Sequence, residues 1–312
     1  MPLDVCVVGE INPDLILYGV PEQLKPEQES LIDGFRLTLG SSSAIFAHNL
    51  SVLGTSVAMV SKIGDDPFGK MSSDWLLRAG VDLTRVSVAS SGTATGFTVI
   101  LAHQGHRIIL TYPGTMFELR YDDLDLEYIF SARHLHLASY FLQKTLRPRI
   151  ADLFREAKAR GLTTSLDTND DPSDEWGKDL LGVLPFVDIF FPNEREAKKI
   201  AGTDNLEHAI GKLSESCRFV VVKLGPQGAI ARKGSEEWRR NGMSVASVDP
   251  IGAGDSFDAG FIHRFLQGAS PAECLEWADI AGALSTTREG GTEAFRVPGV
   301  VEQFFRDHAK IR

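Results

Sequence analysis

Val248-Asp249-Pro250-Ile251-Gly252-Ala253-Gly254-Asp255-Ser256-Phe257-Asp258-Ala259-Gly260 is the stretch from which the rest of the chain is read. An apolar, alternating run (Met243, Val245, Val248) leads into it, the pattern expected of an edge strand. A small-residue loop follows, Gly252-Ala253-Gly254. Asp255 then stands where a helix is expected to start, ahead of Phe257, Phe261, Ile262, Phe265 and Leu266 at helical spacing. Without a Cβ, Gly252 and Gly254 let the backbone turn sharply and bring successive N–H groups close to a ligand. Those groups lie at the positive end of the helix dipole and make an anion cradle. A carboxylate in that place repels a phosphate unless it has a task there. The expected task of Asp255 is general base: it takes a proton from an alcohol while the cradle steadies a transferring phosphoryl group. An isolated Gly-Ala-Gly-Asp is equally a tight turn with an Asp cap; the neighbouring Asp249 and Asp258 favour the chemical reading.

Composition sets the frame around this stretch. The chain has 312 residues, 43% hydrophobic and 24% charged, as a soluble α/β protein of one large domain or two smaller ones would. A net charge of −10 argues against nucleic acid and anionic membrane as partners. The three cysteines, Cys6, Cys217 and Cys274, follow neither disulfide nor zinc spacing. No run reaches the ~20 apolar residues of a membrane span, and Met1–Glu10 lacks the pattern of a signal peptide. A cytoplasmic location is expected.

Working outward, strands alternate with helices. Val5-Cys6-Val7-Val8-Gly9 is a short buried strand such as opens a doubly wound sheet. The next residues, Glu10-Ile11-Asn12-Pro13-Asp14, do not give the G-x-G-x-x-G of a dinucleotide fold, which disfavours a nicotinamide oxidoreductase. A carboxylate such as Asp14 at a strand end is suited to accepting hydrogen bonds from two sugar hydroxyls. Residues 15–39 read as two strands joined by a long polar loop. Phe97–Ala102 and Arg107–Tyr112 read as a hairpin around His103-Gln104-Gly105-His106, a solvated tip in preference to a metal site. Gly40-Ser41-Ser42-Ser43 opens a helix that Gly54 closes. His134–Ser139 is a strand whose histidines are expected in the core. Asp167 and Asn169 end another strand, at the edge where open α/β sheets bind ligands. Phe186–Phe191 is the next strand, followed by Asn193 and Glu196, one helical turn apart. That spacing suits a hydrated divalent cation and equally an acidic N-terminal cap. Phe219–Leu224 is a further strand; its Lys223 either faces a phosphate or ends the strand in solvent. Gly225 and Gly228 follow in a loop that lets backbone approach a nucleotide.

Several of these runs, in this order, resemble the ribokinase-like (PfkB) carbohydrate kinases. The carriers are Asp249-x-x-Gly252-Ala253-Gly254-Asp255, Gly40 with Ala47, Leu53 and Gly54, Gly64-Asp65-Asp66-Pro67-Phe68-Gly69, Asp167-x-Asn169, Asn193-x-x-Glu196, and Gly225 with Gly228. Departures are Pro250 for Thr, Ser41 for the second glycine, Ile45 for a sugar-binding Asn, and Asp170 where an Arg commonly follows.

The resemblance implies a doubly wound, mostly parallel α/β sheet flanked by helices, one domain over residues 1–312, with a small β-sheet lid from insertions at about 12–39 and 95–114. It implies transfer of the γ-phosphoryl group of ATP to an alcohol of a sugar or sugar derivative, a primary hydroxyl foremost. Asp255 is then the base, and Gly252, Ala253 and Gly254 the anion hole. Asn12, Asp14, Gly40, Ser41 and Ser139 bind the substrate, and Lys223, Gly225, Gly228 and Asn193 the nucleotide. Asn193 and Glu196 hold Mg2+ largely through water, and Asp249 is a candidate for a monovalent cation such as K+. A homodimer through the lid is expected. A nucleoside kinase of the same fold, and a catalytically silent sugar-binding regulator, are the alternatives; the departures leave the sugar open.

Overall fold

The structure is a computed structural model and describes residues 3–103, 106–177 and 179–309, with His106 described by its backbone alone. The hairpin tip Gln104-Gly105 and the imidazole of His106 therefore lie outside the described residues.

Among the described residues, thirteen strands form two sheets: β1 (Val5–Val8), β2 (Pro13–Tyr18), β3 (Gly34–Leu39), β4 (Val57–Ile63), β5 (Asp82–Val88), β6 (Phe97–His103), β7 (His106–Tyr112), β8 (His134–Leu137), β9 (Thr163–Leu166), β10 (Ile189–Phe190), β11 (Phe219–Lys223), β12 (Ala229–Lys233) and β13 (Glu236–Arg240). The nine-stranded sheet has the order β13-β12-β11-β10-β9-β8-β1-β4-β5. From β11 to β5 every pairing is parallel, and β12 and β13 add an antiparallel edge. β1 shows why the centre is continuous in apolar residues. All four of its residues are buried; Cys6 and Val8 join one core with Leu153, Phe154, Ala197 and Ile210, and Val5 and Val7 join the other with Leu50, Phe261 and Ala278. A strand covered by helices on both faces has no polar side to show.

Chain order reverses around β1: it runs to β4 and β5 on one side, and through β8, β9, β10 and β11 on the other. In open parallel sheets the crevice beyond the strand ends at such a switch point is where ligands bind. Glu10 follows β1 and Ser139 follows β8.

The two insertions supply the second sheet, β3-β2-β6-β7. Its register puts Asp14, Ile16 and Tyr18 on one face. On the other stand two apolar rows, Leu37-Leu15-Val99-Leu110 and Phe35-Leu17-Leu101-Ile108. Ile16 and Ile100 pack on Ile251, from the loop ahead of Gly252.

Two expectations need correction. Residues 241–247 carry no strand; the edge is β13, Glu-Glu-Trp-Arg-Arg, whose charges hide it from an apolar pattern. The strand expected over Phe186–Phe191 shrinks to Ile189–Phe190, because Leu184–Phe186, with Pro185 inside it, forms a 3-10 turn. β5, exposed except at half-buried Leu83 and Val86, has no alternating pattern by which the sequence would mark it as a strand.

Candidate active site

The helix Ala253–Leu266 begins two residues before Asp255, with Gly252 as its N-cap at φ 73°. That left-handed turn suits glycine, and a Cβ at Gly252 would lie 2.4 Å from the Gly291 Cα. Asp255 is thus a first-turn residue and not the cap. Ser256 donates from its N–H (2.9 Å) and its hydroxyl (2.7 Å) to the Gly252 carbonyl and locks the turn. The N–H groups of Gly252 and Gly254 have no acceptor among the described residues; that of Ala253 reaches the Pro250 carbonyl at 3.3 Å. Unfilled helix N-termini of this kind attract anions.

Lys223 is not a solvated strand end. Its ammonium donates to Asp167 Oδ2 (2.6 Å) and Asp258 Oδ2 (3.1 Å), and its side chain is 12% exposed. It also lies 3.5 Å from where a Cβ on Gly254 would stand, so this cation sits beside the cradle. Burial pulls the Lys223 ammonium down, but Asp167, Asp258 and Glu196 outweigh it and raise it above the ordinary range. Burial likewise pushes Asp167 up; Lys223, with hydrogen bonds from Asp258 and the Asn169 N–H, holds it below its usual value. Asp258, raised chiefly by burial, is the partner that keeps a proton. Lys223 and Asp167 remain the charged pair.

Asn193 and Glu196 form a capping box at the helix Glu194–Ala201. The Asn193 side chain accepts from the Glu196 N–H (3.0 Å), and Glu196 accepts from the Asn193 N–H (2.9 Å). Glu196 is pushed up to about 7 by burial and by Asp167. Beside them a 670 Å3 cavity is lined by Asn193, Arg195, Lys198, Lys199, Lys223 and Gly225. Gly225 has open space around it. Gly228 is needed for a different reason: a Cβ there would meet the Arg240 carbonyl at 2.0 Å, so it serves packing against the end of β13.

Asp14 sits against Gly40, where a Cβ would be 2.0 Å from Asp14 Oδ1. Burial, then Asp255, pushes Asp14 up to about 7, against the pull of the Thr98 hydroxyl. Asn12 is buried and donates to Asp14 Oδ1 (3.4 Å), while its own Oδ1 has no partner. An orphaned buried acceptor next to a carboxylate is a place for a hydroxyl donor. Asp255 is buried and pushed up to about 6, by burial first and Asp167 next, with Lys223 and Ser42 pulling it down. Asp14 and Asp255 are within electrostatic range of each other. Ser41 caps the Ser42–Val52 helix and, like Ser139, donates to Glu10. Ile45 packs on Gly291, where a Cβ would meet its Cδ1 at 2.6 Å.

Asp249 accepts from the Ile251 N–H (2.9 Å), the Gly290 N–H (3.0 Å) and the Tyr18 hydroxyl (3.2 Å). Those donors fill most of its lone-pair sites. It is an anchor between the small sheet and the Gly252 loop.

The site therefore gathers Asn12, Asp14, Gly40, Asp255 and the Gly252 loop at one end of the main sheet, with Lys223 beside Gly254. Sequence reasoning missed Glu10, Ser42, Gln143 and Asp258 as site residues. Gly9-Glu10 at the end of the first strand was the available signal for the first of these. His134 and His136 prove to be core residues: both contact the Ser165 hydroxyl at 2.7 Å, and His136 stacks on Phe46.

Comparison with known proteins gives the same picture. Residues 2–297 match the model of the pfkB family carbohydrate kinases. An ATP-dependent ribose-1-phosphate kinase of Halopiger xanaduensis is 30% identical over 93% of this chain and 94% of its own length. The ribokinase of Haemophilus influenzae is 27% identical over 91% and 92%. An E. coli protein provisionally named Ribokinase II, solved with ATP and Mg2+, superposes with a TM-score of 0.85 at 26% identity, covering 98% of this chain and all of that one. No helix among the described residues is long and apolar enough to cross a membrane. With its fold, its cradle and its family match in agreement, the chain belongs to the pfkB family of carbohydrate kinases.

Proposed function

We propose that this kinase transfers the γ-phosphoryl group of ATP to a hydroxyl, foremost a primary one, of a neutral sugar or sugar derivative. The observation that carries the reading is the placement of Asp255: a buried carboxylate at the first turn of a helix where the Gly252 and Gly254 N–H groups have no acceptor among the described residues. It is flanked by the Lys223 cluster on one side and Asp14 on the other. Asp14 and Asn12 hold the sugar hydroxyls, and Gly40 allows the close approach. Asp255 removes the proton from the attacking hydroxyl, and the Gly252 and Gly254 N–H groups steady the transferring phosphoryl. Lys223, held by two acids, fixes positive charge beside that path.

Asn193 and Glu196 suit a hydrated Mg2+. Their hard oxygens match its preference, and Glu196 is raised by burial and by Asp167 against the pull of Lys223. A Mg2+ held there would supply positive charge to neutralise the phosphates of the nucleotide. The four-stranded sheet acts as a lid, reaching the catalytic loop through Tyr18–Asp249 and Ile251. Its outer face leaves Phe35 68%, Ile108 61% and Leu110 54% exposed. A second copy of the chain is the occupant proposed for those apolar rows, giving a dimer.

The test is coupled ADP release with Mg·ATP over a panel of sugars, sugar acids and nucleosides. At least one sugar is turned over, and Asp255→Asn lowers kcat by on the order of 10²–10⁴-fold with little change in sugar binding. Full turnover in that variant removes Asp255 from the mechanism. Sedimentation of Ile108→Glu against wild type tests the dimer, the variant being monomeric.

A further inference from the structure

Gly252 and Gly291 meet backbone to backbone. A Cβ on Gly252 would lie 2.4 Å from the Gly291 Cα, and one on Gly291 would lie 2.6 Å from Ile45 Cδ1 and 3.2 Å from the Gly252 Cα. Two glycines have no side chains with which to interlock, and glycine has the most conformational freedom to lose. The turn that presents the Gly252 and Gly254 N–H groups therefore needs a hold from outside. Asn49, on the helix Ser42–Val52 and fully buried, supplies one in two directions. Its Nδ2 donates to the Ser256 hydroxyl oxygen at 2.9 Å and to the Gly291 carbonyl at 3.0 Å.

The sense of these bonds is fixed. A backbone carbonyl only accepts, so Asn49 must face Gly291 with its nitrogen, and both of its N–H groups are spent on the two bonds. Its Oδ1 is left to His48 Nδ1 at 2.8 Å. Burial lowers the His48 ring to about 4, so the imidazole is neutral and carries its one proton on Nδ1. On the far side, Ser256 Oγ accepts from Asn49 and gives its own proton to the Gly252 carbonyl at 2.7 Å, beside the Ser256 N–H at 2.9 Å. The Ser285 hydroxyl is a second donor to the Gly291 carbonyl at 3.3 Å. The Gly252 carbonyl shares a planar peptide with the Ala253 N–H, so fixing one fixes the other. Elsewhere the same two helices meet through apolar groups, Phe46, Ala47 and Leu50 on one and Phe257, Phe261 and Ile262 on the other. An apolar side chain at 49 would serve that packing as well, and a buried amide is unfavourable unless each of its groups is matched. Both of its donors end on the cradle or on the segment that touches it.

We propose that Asn49 is a positioning residue of the phosphoryl cradle: its amide pins the Gly252 turn, through Ser256, and the Gly291 backbone against each other, so that the leading N–H groups stand in place before a phosphoryl group arrives. The proposal rests on the reading of the Gly252 loop as the anion hole, but the clamp itself is testable without any ligand. Asn49 acts only through Ser256 and the backbone. The helix that carries it starts two residues after Gly40, against which Asp14 sits, so one element ties the acceptor end of the site to the cradle.

The experiment compares wild type, Asn49→Leu, Ser256→Ala and the double variant. Leucine keeps the branched shape of asparagine but not its N–H groups; Ser256→Ala removes one hydroxyl and tests the same path without the bulkier exchange. Amide hydrogen exchange followed by NMR reads the turn with no ligand present. The amide at position 256, bonded to the Gly252 carbonyl, exchanges about tenfold faster in both single variants, while those of Phe261 and Ile262 in the same helix hold. With the sugar that wild type turns over fastest, both variants lower kcat about 10- to 100-fold and change either KM by less than about twofold. The double variant is no slower than the slower single one, because both exchanges cut one path. Wild-type exchange at 256 in both variants overturns the clamp, and so do losses that multiply in the double variant. A fall in Tm with amide 256, Phe261 and Ile262 opening together also overturns it, since that marks packing alone. If wild type phosphorylates no sugar while amide 256 still quickens, the kinase reading fails and the clamp stands. If wild type is active and the variants match its kcat, the reading stands and the clamp fails.

Discussion

Beside the cradle, Asp167 and Asp258 share one ammonium, Lys223, and the ion pair lies within 2.6 Å. At the end of β1, Glu10 and Asp14 have no ammonium or guanidinium in hydrogen-bond contact and are met by hydroxyls and amides. The two ends of one crevice thus treat buried negative charge differently. A cation locked by two acids is pre-set for an anion that arrives and leaves, because little reorganises on binding. The lone pairs of Glu10 are taken by its donors, whereas Asp14 keeps lone pairs suited to the hydroxyls of the acceptor proposed above. An acceptor bearing its own negative charge would meet Asp14 and Glu10 unshielded.

Removing the cation is the severest way to break this contrast. Lys223→Met leaves Asp167 buried without its counter-charge, and loss of one partner of such a pair costs about 3–5 kcal/mol. Urea unfolding should show a loss of that size, with phosphoryl transfer reduced as well. An unchanged midpoint would mean that Asp167 is balanced by something other than Lys223. Next in size is Gly40→Ala, which forces Asp14 to move by an ångström or more. A misplacement of that order lowers kcat/KM by about 10²-fold, while the KM for ATP is unaffected. Equal rises in the two KM values would show that the two ends are not separable. The smallest effect is on pH. Asp255, raised to about 6, must be ionised to act, so kcat is about tenfold below its plateau one unit under that midpoint. Asp14 titrates at about 7 when folded and near 4 when unfolded, so the stability it contributes is full below pH 4 and lost as pH rises to 7. Thermal unfolding at pH 5 and 8 should therefore differ less in Asp14→Asn than in wild type.

The contrast also explains what the sequence could and could not tell. Gly252, Gly254 and Asp255 are contiguous, and their chemistry follows from a turn, a helix start and an acid within four residues. The opening strand and the small sheet were legible for a similar reason, since each is a local apolar pattern bounded by turn residues. Lys223 was not. Its partners lie 56 and 35 residues away, and nothing near it in the chain separates a buried ion pair from a solvated strand end. Glu10 was equally silent, because its donors come from positions 41, 43, 139 and 143, which only the parallel sheet brings together. The Asn193–Glu196 spacing was readable in two ways, and the capping box realises one of them. Asp249, in the same motif as Asp255, has its hydrogen-bond partners at positions 18, 251 and 290, and the distant two could not be read from the chain.

Ile251 touches Ile16 and Ile100 just ahead of the turn proposed to receive the phosphoryl group. A cover and a receptor joined through one greasy seam move as a unit: swing the cover outward and the receptor slackens with it. A nucleotide bound before any sugar would then find a cradle out of shape, which disfavours attack by stray solvent until the alcohol is shut in.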